Sequence, residues 1–193
     1  MFEIDRELFR VINSLSGHNN WIDGLVTVVA SDYLVPVFTG LILFYLWLTS
    51  VKSKNIRYGK NNVILCLCTM FVASSAVFLC NLFYFRERPF TLSEVNLLFY
   101  MPTDSSFPSN AAAGLAGLSL PIMFVSKRLF LLALSGCILM CFARIYVGIH
   151  YPLDILGGFL ISLVSLSICV KMLGPLQPLI DMLIDLLEKL KLT

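Results

Sequence analysis

The sequence predicts an all-α fold: a polytopic membrane helix bundle of about six helices with amphipathic terminal helices. Composition is the first observation behind this. Hydrophobic residues fill 58% of the 193 positions and charged ones 13%, against about 25% charged in ordinary soluble domains, and mean hydropathy is +0.85. The second is that the apolar residues fall in runs of helical-span length; the third is that basic clusters mark alternate breaks between the runs. The net charge of +2 is too small to suggest a nucleic-acid partner. Six cysteines, at 66, 68, 80, 137, 141 and 169, all lie inside apolar runs and read as small packing residues rather than disulfides or metal pairs. No internal repeat is present, and residues 1–193 read as one membrane-embedded domain.

The first element is EIDRELFRVINSLS, where Ile4, Leu8, Val11, Ile12 and Leu15 face one side and Glu3, Arg6, Glu7 and Arg10 largely the other. That pattern predicts an amphipathic helix at the membrane surface or against the bundle. With acids early and no basic region before an apolar run, this start does not read as a cleaved signal peptide. Trp21 to Ala30 carries Asp23 and is too short to span unless joined to a neighbour. Five clearer spans follow: 33–49, 63–85, 107–126, 129–143 and 155–170. The last two fall short of about 20 residues, so their polar extensions must complete the helices. The end, LIDMLIDLLEKLKLT, sets Leu179, Leu183, Leu187 and Leu190 apart from Asp181, Asp185 and Glu188, predicting a further interfacial helix.

Orientation follows from the breaks. Lys52, Lys54, Arg57 and Lys60, then Lys127 and Arg128, then Lys171 mark one side, cytoplasmic by the positive-inside rule. The loop 86–106 and the segment 144–154 therefore share the outer face.

That face carries the chemistry. In Ala143 to Asp154, ARIYVGIHYPLD, an arginine, a histidine and a carboxylate stand between two apolar runs. Ionisable groups at membrane depth are costly and point to function; a basic loop followed by a helix cap would leave Arg144 and His150 unexplained. The outer loop opens with Arg88–Pro89 and closes with SSFPSNAAAG, which sets Pro108 and Ser109 at a helix start, a ready anion site. Two arginine forks suit phosphate oxygens. A histidine with a carboxylate to orient it completes a set suited to phosphoryl transfer through a phosphohistidine.

The order RP, then PS at a helix start, then R, five residues, H, three residues, D resembles the three-part signature of the type 2 phosphatidic acid phosphatase superfamily, membrane lipid phosphatases that need no metal. The motifs lie within 81–154, and the spans from 33 to 172 match the family's helical core. The resemblance implies that Arg88, Ser109 and Arg144 bind phosphate, with Asn110 beside them, that His150 is the nucleophile and that Asp154 orients it. It implies no cofactor.

Two departures stand out. The family's first motif usually starts with lysine seven residues before the arginine, where this chain has Asn81, a donor without the charge; Arg86 is a candidate replacement. The second motif usually continues PSGH or PSNH, whereas here Ala111 follows Asn110. The histidine that would protonate the leaving group is missing, and alanine does no acid–base chemistry. Ala111 reads as an engineered inactivating substitution, or else as a natural variant. The other histidine, His18, reads as a surface or cap residue. Glu87 reads as a partner of Arg86 or Arg88, and Asp104 as a cap or loop residue. The loop 91–103, with Leu97, Leu98, Phe99, Tyr100 and Met101, reads as a lipid-dipping or tail-guiding segment, or as packing against the bundle.

Length, N-terminal layout and YFRERPF most resemble the bacterial undecaprenyl-pyrophosphate phosphatase branch. The resemblance implies a polyprenyl pyrophosphate substrate, membrane lipids as surroundings, and an outward-facing site in a bacterial plasma membrane. A phosphatidylglycerophosphate or phosphatidate phosphatase of the same fold is the enzymatic alternative, and a lipid-phosphate binding or transport protein the non-catalytic one. The sequence leaves the oligomeric state and the side of the N-terminus open.

Overall fold

The computed structural model describes residues 2–50, 56–91 and 95–189. Lys52, Lys54, Glu94 and Leu190, used in the sequence reading, lie outside them, as do the side chains of Leu183, Leu187 and Glu188. Seven α-helices form among the described residues: α1 (Phe2–Asn13), α2 (Asn20–Ala30), α3 (Leu34–Ser50), α4 (Ile56–Phe83), α5 (Asn110–Ser119), α6 (Lys127–Tyr146) and α7 (Pro152–Lys189). Helices α4, α6 and α7 are each long and apolar enough to cross a membrane. The short run 21–30 is indeed joined to its neighbour: α2 and α3, bent by 48° at their junction, pass that test as a pair. This is a membrane protein.

Packing follows the logic of a bundle in lipid, where large apolar side chains face out and small ones let backbones meet. Phe71 and Phe78 on α4 and Leu160 and Val164 on α7 are exposed, while Ala112, Ala113, Ala116 and Gly117 on α5 are buried. Two glycines set the close approaches. A Cβ on Gly117 would lie 2.9 Å from the Met70 backbone of α4, and one on Gly158 of α7 would lie 2.6 Å from the carbonyl oxygen of Ser109. Helix α5 is thus wedged between α4 and α7, with its N-terminus fixed against α7.

The structure corrects two element boundaries. The run 107–126 does not form one helix of span length: α5 starts at Asn110, and the chain tightens into a 3-10 stretch, Leu120–Phe124, at Pro121, where proline cannot donate the next helical bond. The separate interfacial helix after Lys171 is instead the continuation of α7, which runs unbroken through Pro175 and Pro178. Its apolar stripe keeps packing on α4, through Leu166, Cys169 and Leu173 against Leu65, and Arg57 pairs with Asp181 and Asp185 at 3.3 Å each.

Helix α1 is amphipathic, but Ile4, Leu8 and Val11 of its apolar stripe are exposed, and the side it buries is a different one. Asp5, Phe9 and Asn13, one turn apart, are all buried. Asn13 Nδ2 donates to the carbonyls of Asn96 and Tyr146, both at 2.9 Å. Helix α1 therefore lies at the end of the bundle where the outer loop meets the α6–α7 turn.

Candidate active site

Three stretches distant in sequence converge at that end. Arg144 sits in the last turn of α6. The chain then turns through Gly148, whose φ of +90° and close neighbours, Asn96 O and Val95 Cγ1 at 3.0 Å from a would-be Cβ, demand glycine. The turn delivers His150 just before α7 begins at Pro152, with Asp154 in its first turn, where the helix dipole favours a carboxylate. From the other side Ser109 caps α5, its hydroxyl accepting from Ala112 N and its own N–H donating to Asp154 O at 3.0 Å.

The hydrogen bonds assign the imidazole. His150 Nδ1 is 3.1 Å from the carbonyl oxygen of Ser106, which only accepts, so Nδ1 carries the proton. Nε2 is left with its lone pair, 3.3 Å from Arg88 Nη1 and 3.4 Å from Ser109 Oγ. Burial lowers the His150 pKa below its ordinary value; Asp154 opposes this, and Arg88 and Arg144 reinforce it. The ring is neutral at pH 7, with its nucleophilic nitrogen between two donors.

Asp154 is further from His150 than an orienting hydrogen bond requires, with Oδ2 at 3.6 Å from Nδ1. Its carboxylate accepts from Ser106 Oγ at 2.6 Å, Tyr151 N at 2.8 Å and Arg86 Nη1 at 2.6 Å. Ser106 thus links carboxylate and imidazole: its hydroxyl binds Asp154 and its carbonyl binds Nδ1. Arg86 donates with its other arm to Asp5 at 2.6 Å, and Asp5 also accepts from Leu153 N at 2.8 Å. Arg86, the candidate replacement for the missing lysine, therefore bridges two buried carboxylates.

The two arginines read as phosphate ligands are both buried. Arg88 donates to Ile149 O at 2.9 Å and to Asp104, through the carbonyl at 3.1 Å and the carboxylate at 2.8 Å. Asp104, expected only as a cap or loop residue, is thus a partner of Arg88. Arg144 pairs with Asp32 at the α2–α3 junction, whose other oxygen accepts from Tyr100 Oη at 2.9 Å. Arg144 Nε is buried with no partner. Ala111 is half-buried against the core cluster that contains Phe9, Val35 and Tyr151. Asn110 is exposed, and Asn81, near the end of α4, has a buried Oδ1 without a partner. His18 is exposed. Leu97, Leu98 and Phe99 pack on Ala143, Tyr146 and Val147, while Tyr100 and Met101 are exposed. Beside the site an apolar groove of about 390 Å³ runs along α7, lined by Tyr84, Arg86, Phe107, Leu153, Leu156 and Leu160.

Sequence reasoning missed Asp5, Asp32 and Ser106. Asp5 was legible only as an acid in line with Phe9 and Asn13, beside the apolar stripe of an amphipathic helix, and Asp32 only as a charge at a span junction.

Residues 62–177 match the model of the PAP2 superfamily. The chain is 28% identical over 185 residues to undecaprenyl-diphosphatase BcrC of Bacillus subtilis, covering 94% of this chain and 91% of that protein. In structure it is similar to Aquifex aeolicus LpxE, with a TM-score of 0.65, 28% identity and 86% and 93% of the two chains covered. It also shares the fold of a phosphatidylglycerolphosphate phosphatase from Bacillus subtilis, with a TM-score of 0.61, 19% identity and 88% and 84% covered.

Proposed function

The chain belongs to the PAP2 superfamily and is a membrane phosphatase, and from that premise we propose that it removes the terminal phosphate of undecaprenyl pyrophosphate at the outer face of a bacterial plasma membrane. The observation that carries the phosphoryl chemistry is the lone pair of His150 Nε2, held between Arg88 and Ser109 at the start of α5. The likeness to an undecaprenyl-diphosphatase along nearly the whole chain and the apolar groove beside the site support a polyprenyl diphosphate. Basic residues at the opposite end of α6, Lys127 and Arg128, support the outward orientation.

In this reading His150 Nε2 attacks the terminal phosphorus, and the bond to the bridging oxygen breaks. Undecaprenyl phosphate leaves and a phosphohistidine remains. Arg88, Arg144, the Ser109 hydroxyl and the first-turn amides of α5 bind the charge on the equatorial oxygens. Water then attacks the phosphohistidine, the phosphorus–nitrogen bond breaks and inorganic phosphate departs. General acid–base catalysis typically contributes about 10²- to 10⁴-fold, and Ala111 supplies none. A leaving phosphate with a second pKa of about 6 needs little protonation, unlike the alkoxide of a phosphomonoester. Ala111 therefore impairs the enzyme chiefly at the second step. The same residue favours one other reading, a lipid-phosphate binder that has lost turnover.

Phosphate release from undecaprenyl pyrophosphate and from phosphatidic acid, in the chain with Ala111 and in Ala111→His, separates them. The proposal expects the histidine to raise turnover by orders of magnitude, mainly on the pyrophosphate. No release by either protein overturns it in favour of binding, and a gain on phosphatidic acid alone reassigns the substrate.

A further inference from the structure

Each guanidinium that the site offers to a phosphate already carries a carboxylate. Arg144 is bound by Asp32 and Arg88 by Asp104. The arginine side chains are each 6% exposed, whereas those of Asp32 and Asp104 are 47% and 59% exposed, so both carboxylates approach from the open side. Asp32 belongs to none of the three motifs and lies outside the matched segment 62–177. It is placed by the bend between α2 and α3, and Tyr100 Oη holds its second oxygen. The bond does not exhaust Arg144, whose buried Nε has no partner: the guanidinium is built for a larger acceptor than the one it holds.

Carboxylate and phosphate present the same paired oxygens to a guanidinium, and the open edge of an arginine fork takes one of them at a time. A phosphate that takes the Nη2 position of Arg144 must therefore displace Asp32. With Asp32 and Asp104 in place the two arginines are neutralised, so a ligand gains only the difference between its own charge and that of the carboxylates it expels. An isolated phosphate carries about 1.5 to 2 negative charges at pH 7; a diphosphate carries more, so it keeps a larger share of its attraction to the arginines once the carboxylates have been expelled.

We propose that Asp32 is a specificity-determining residue that occupies the phosphate position on Arg144 and, together with Asp104, favours diphosphates over single phosphates. This rests on the reading of the site as a phosphate site. Inorganic orthophosphate and pyrophosphate, titrated into the detergent-solubilised chain and its Asp32→Asn variant, test it without requiring turnover. The amide keeps the shape and removes the charge. Orthophosphate is expected to bind Asp32→Asn on the order of tenfold tighter, pyrophosphate to change less, and the preference between them to narrow. Tyr100→Phe, which removes only the hydroxyl holding Asp32, is expected to shift orthophosphate affinity in the same direction by less. Equal or weaker orthophosphate binding in both variants overturns the inference and leaves the phosphate site standing. Failure of native chain and variants to bind either ligand overturns both.

Discussion

At the scale of single residues, the site is organised by who donates to whom. His150 gives its Nδ1 proton to the Ser106 carbonyl, which leaves Nε2 as the only nucleophilic nitrogen of a buried, neutral ring. His150→Ala is therefore expected to abolish turnover; undiminished phosphate release by that variant rules out the phosphohistidine. Arg144→Ala removes a charge-assisted donor, typically about 1.5 to 3 kcal/mol, so phosphate binding should weaken on the order of ten- to a hundredfold. The lowered pKa has a definite sign. Burial disfavours imidazolium, so the ring stays neutral to a pH below the ordinary value of 6.5. In a His18→Ala variant the one remaining imidazole should titrate by NMR below 6.5, and a midpoint above it contradicts the burial argument. These four positions stood out in the sequence because Arg88, Ser109, Arg144 and His150 keep the spacing of a known signature. Ser106 did not: a serine that works through its backbone carbonyl leaves no mark in residue type.

At the scale of elements, the active-site end depends on helices being held at fixed separations. Gly158 lets α7 touch the residue that caps α5, with the Ser109 carbonyl 2.6 Å from where a side chain would begin. Gly158→Val must push the two helices apart, a kind of overpacking that costs about 1 to 3 kcal/mol, and must move Ser109 from His150. Both melting temperature and turnover should fall, whereas Gly174→Ala, on the same helix with nothing within 4 Å, should lower neither. Helix α1 is coupled to the site through charge. Asp5 and Asp154 share Arg86, with side chains 1%, 0% and 11% exposed. Removing one member of a buried ionic set commonly costs about 3 to 5 kcal/mol, so Asp5→Ala should lower the melting temperature far more than Ala substitution of exposed Glu7 on the same helix. Periodicity showed that α1 is amphipathic but could not show that its inner face carries a buried carboxylate, because Asp5 finds its partner 81 residues away. The single helix through Pro175 and Pro178 was also hidden: proline signals a break locally, and only packing against α4 shows that the helix continues.

At the scale of the molecule, the arrangement makes sense only with the site on one membrane face. Apolar run lengths and alternating basic breaks were enough to place 86–106 and 144–154 together, and the structure brings Arg88, Ser109 and His150 within hydrogen-bonding distance there. What the runs could not reveal is that α5 is a short buried wedge, since a helix hidden among others and one facing lipid are equally apolar. The outward direction proposed from the charge of the breaks has a direct test. Met101 is 65% exposed in the loop at the site end, and Lys127 is exposed at the opposite end of α6. In intact bacterial cells expressing Met101→Cys or Lys127→Cys, made in a background with the six native cysteines replaced by alanine or serine, a membrane-impermeant maleimide should label position 101 directly. Position 127 should react only after the membrane is permeabilised. The reverse pattern would put His150 on the cytoplasmic side, where an outward-facing pyrophosphate could not reach it.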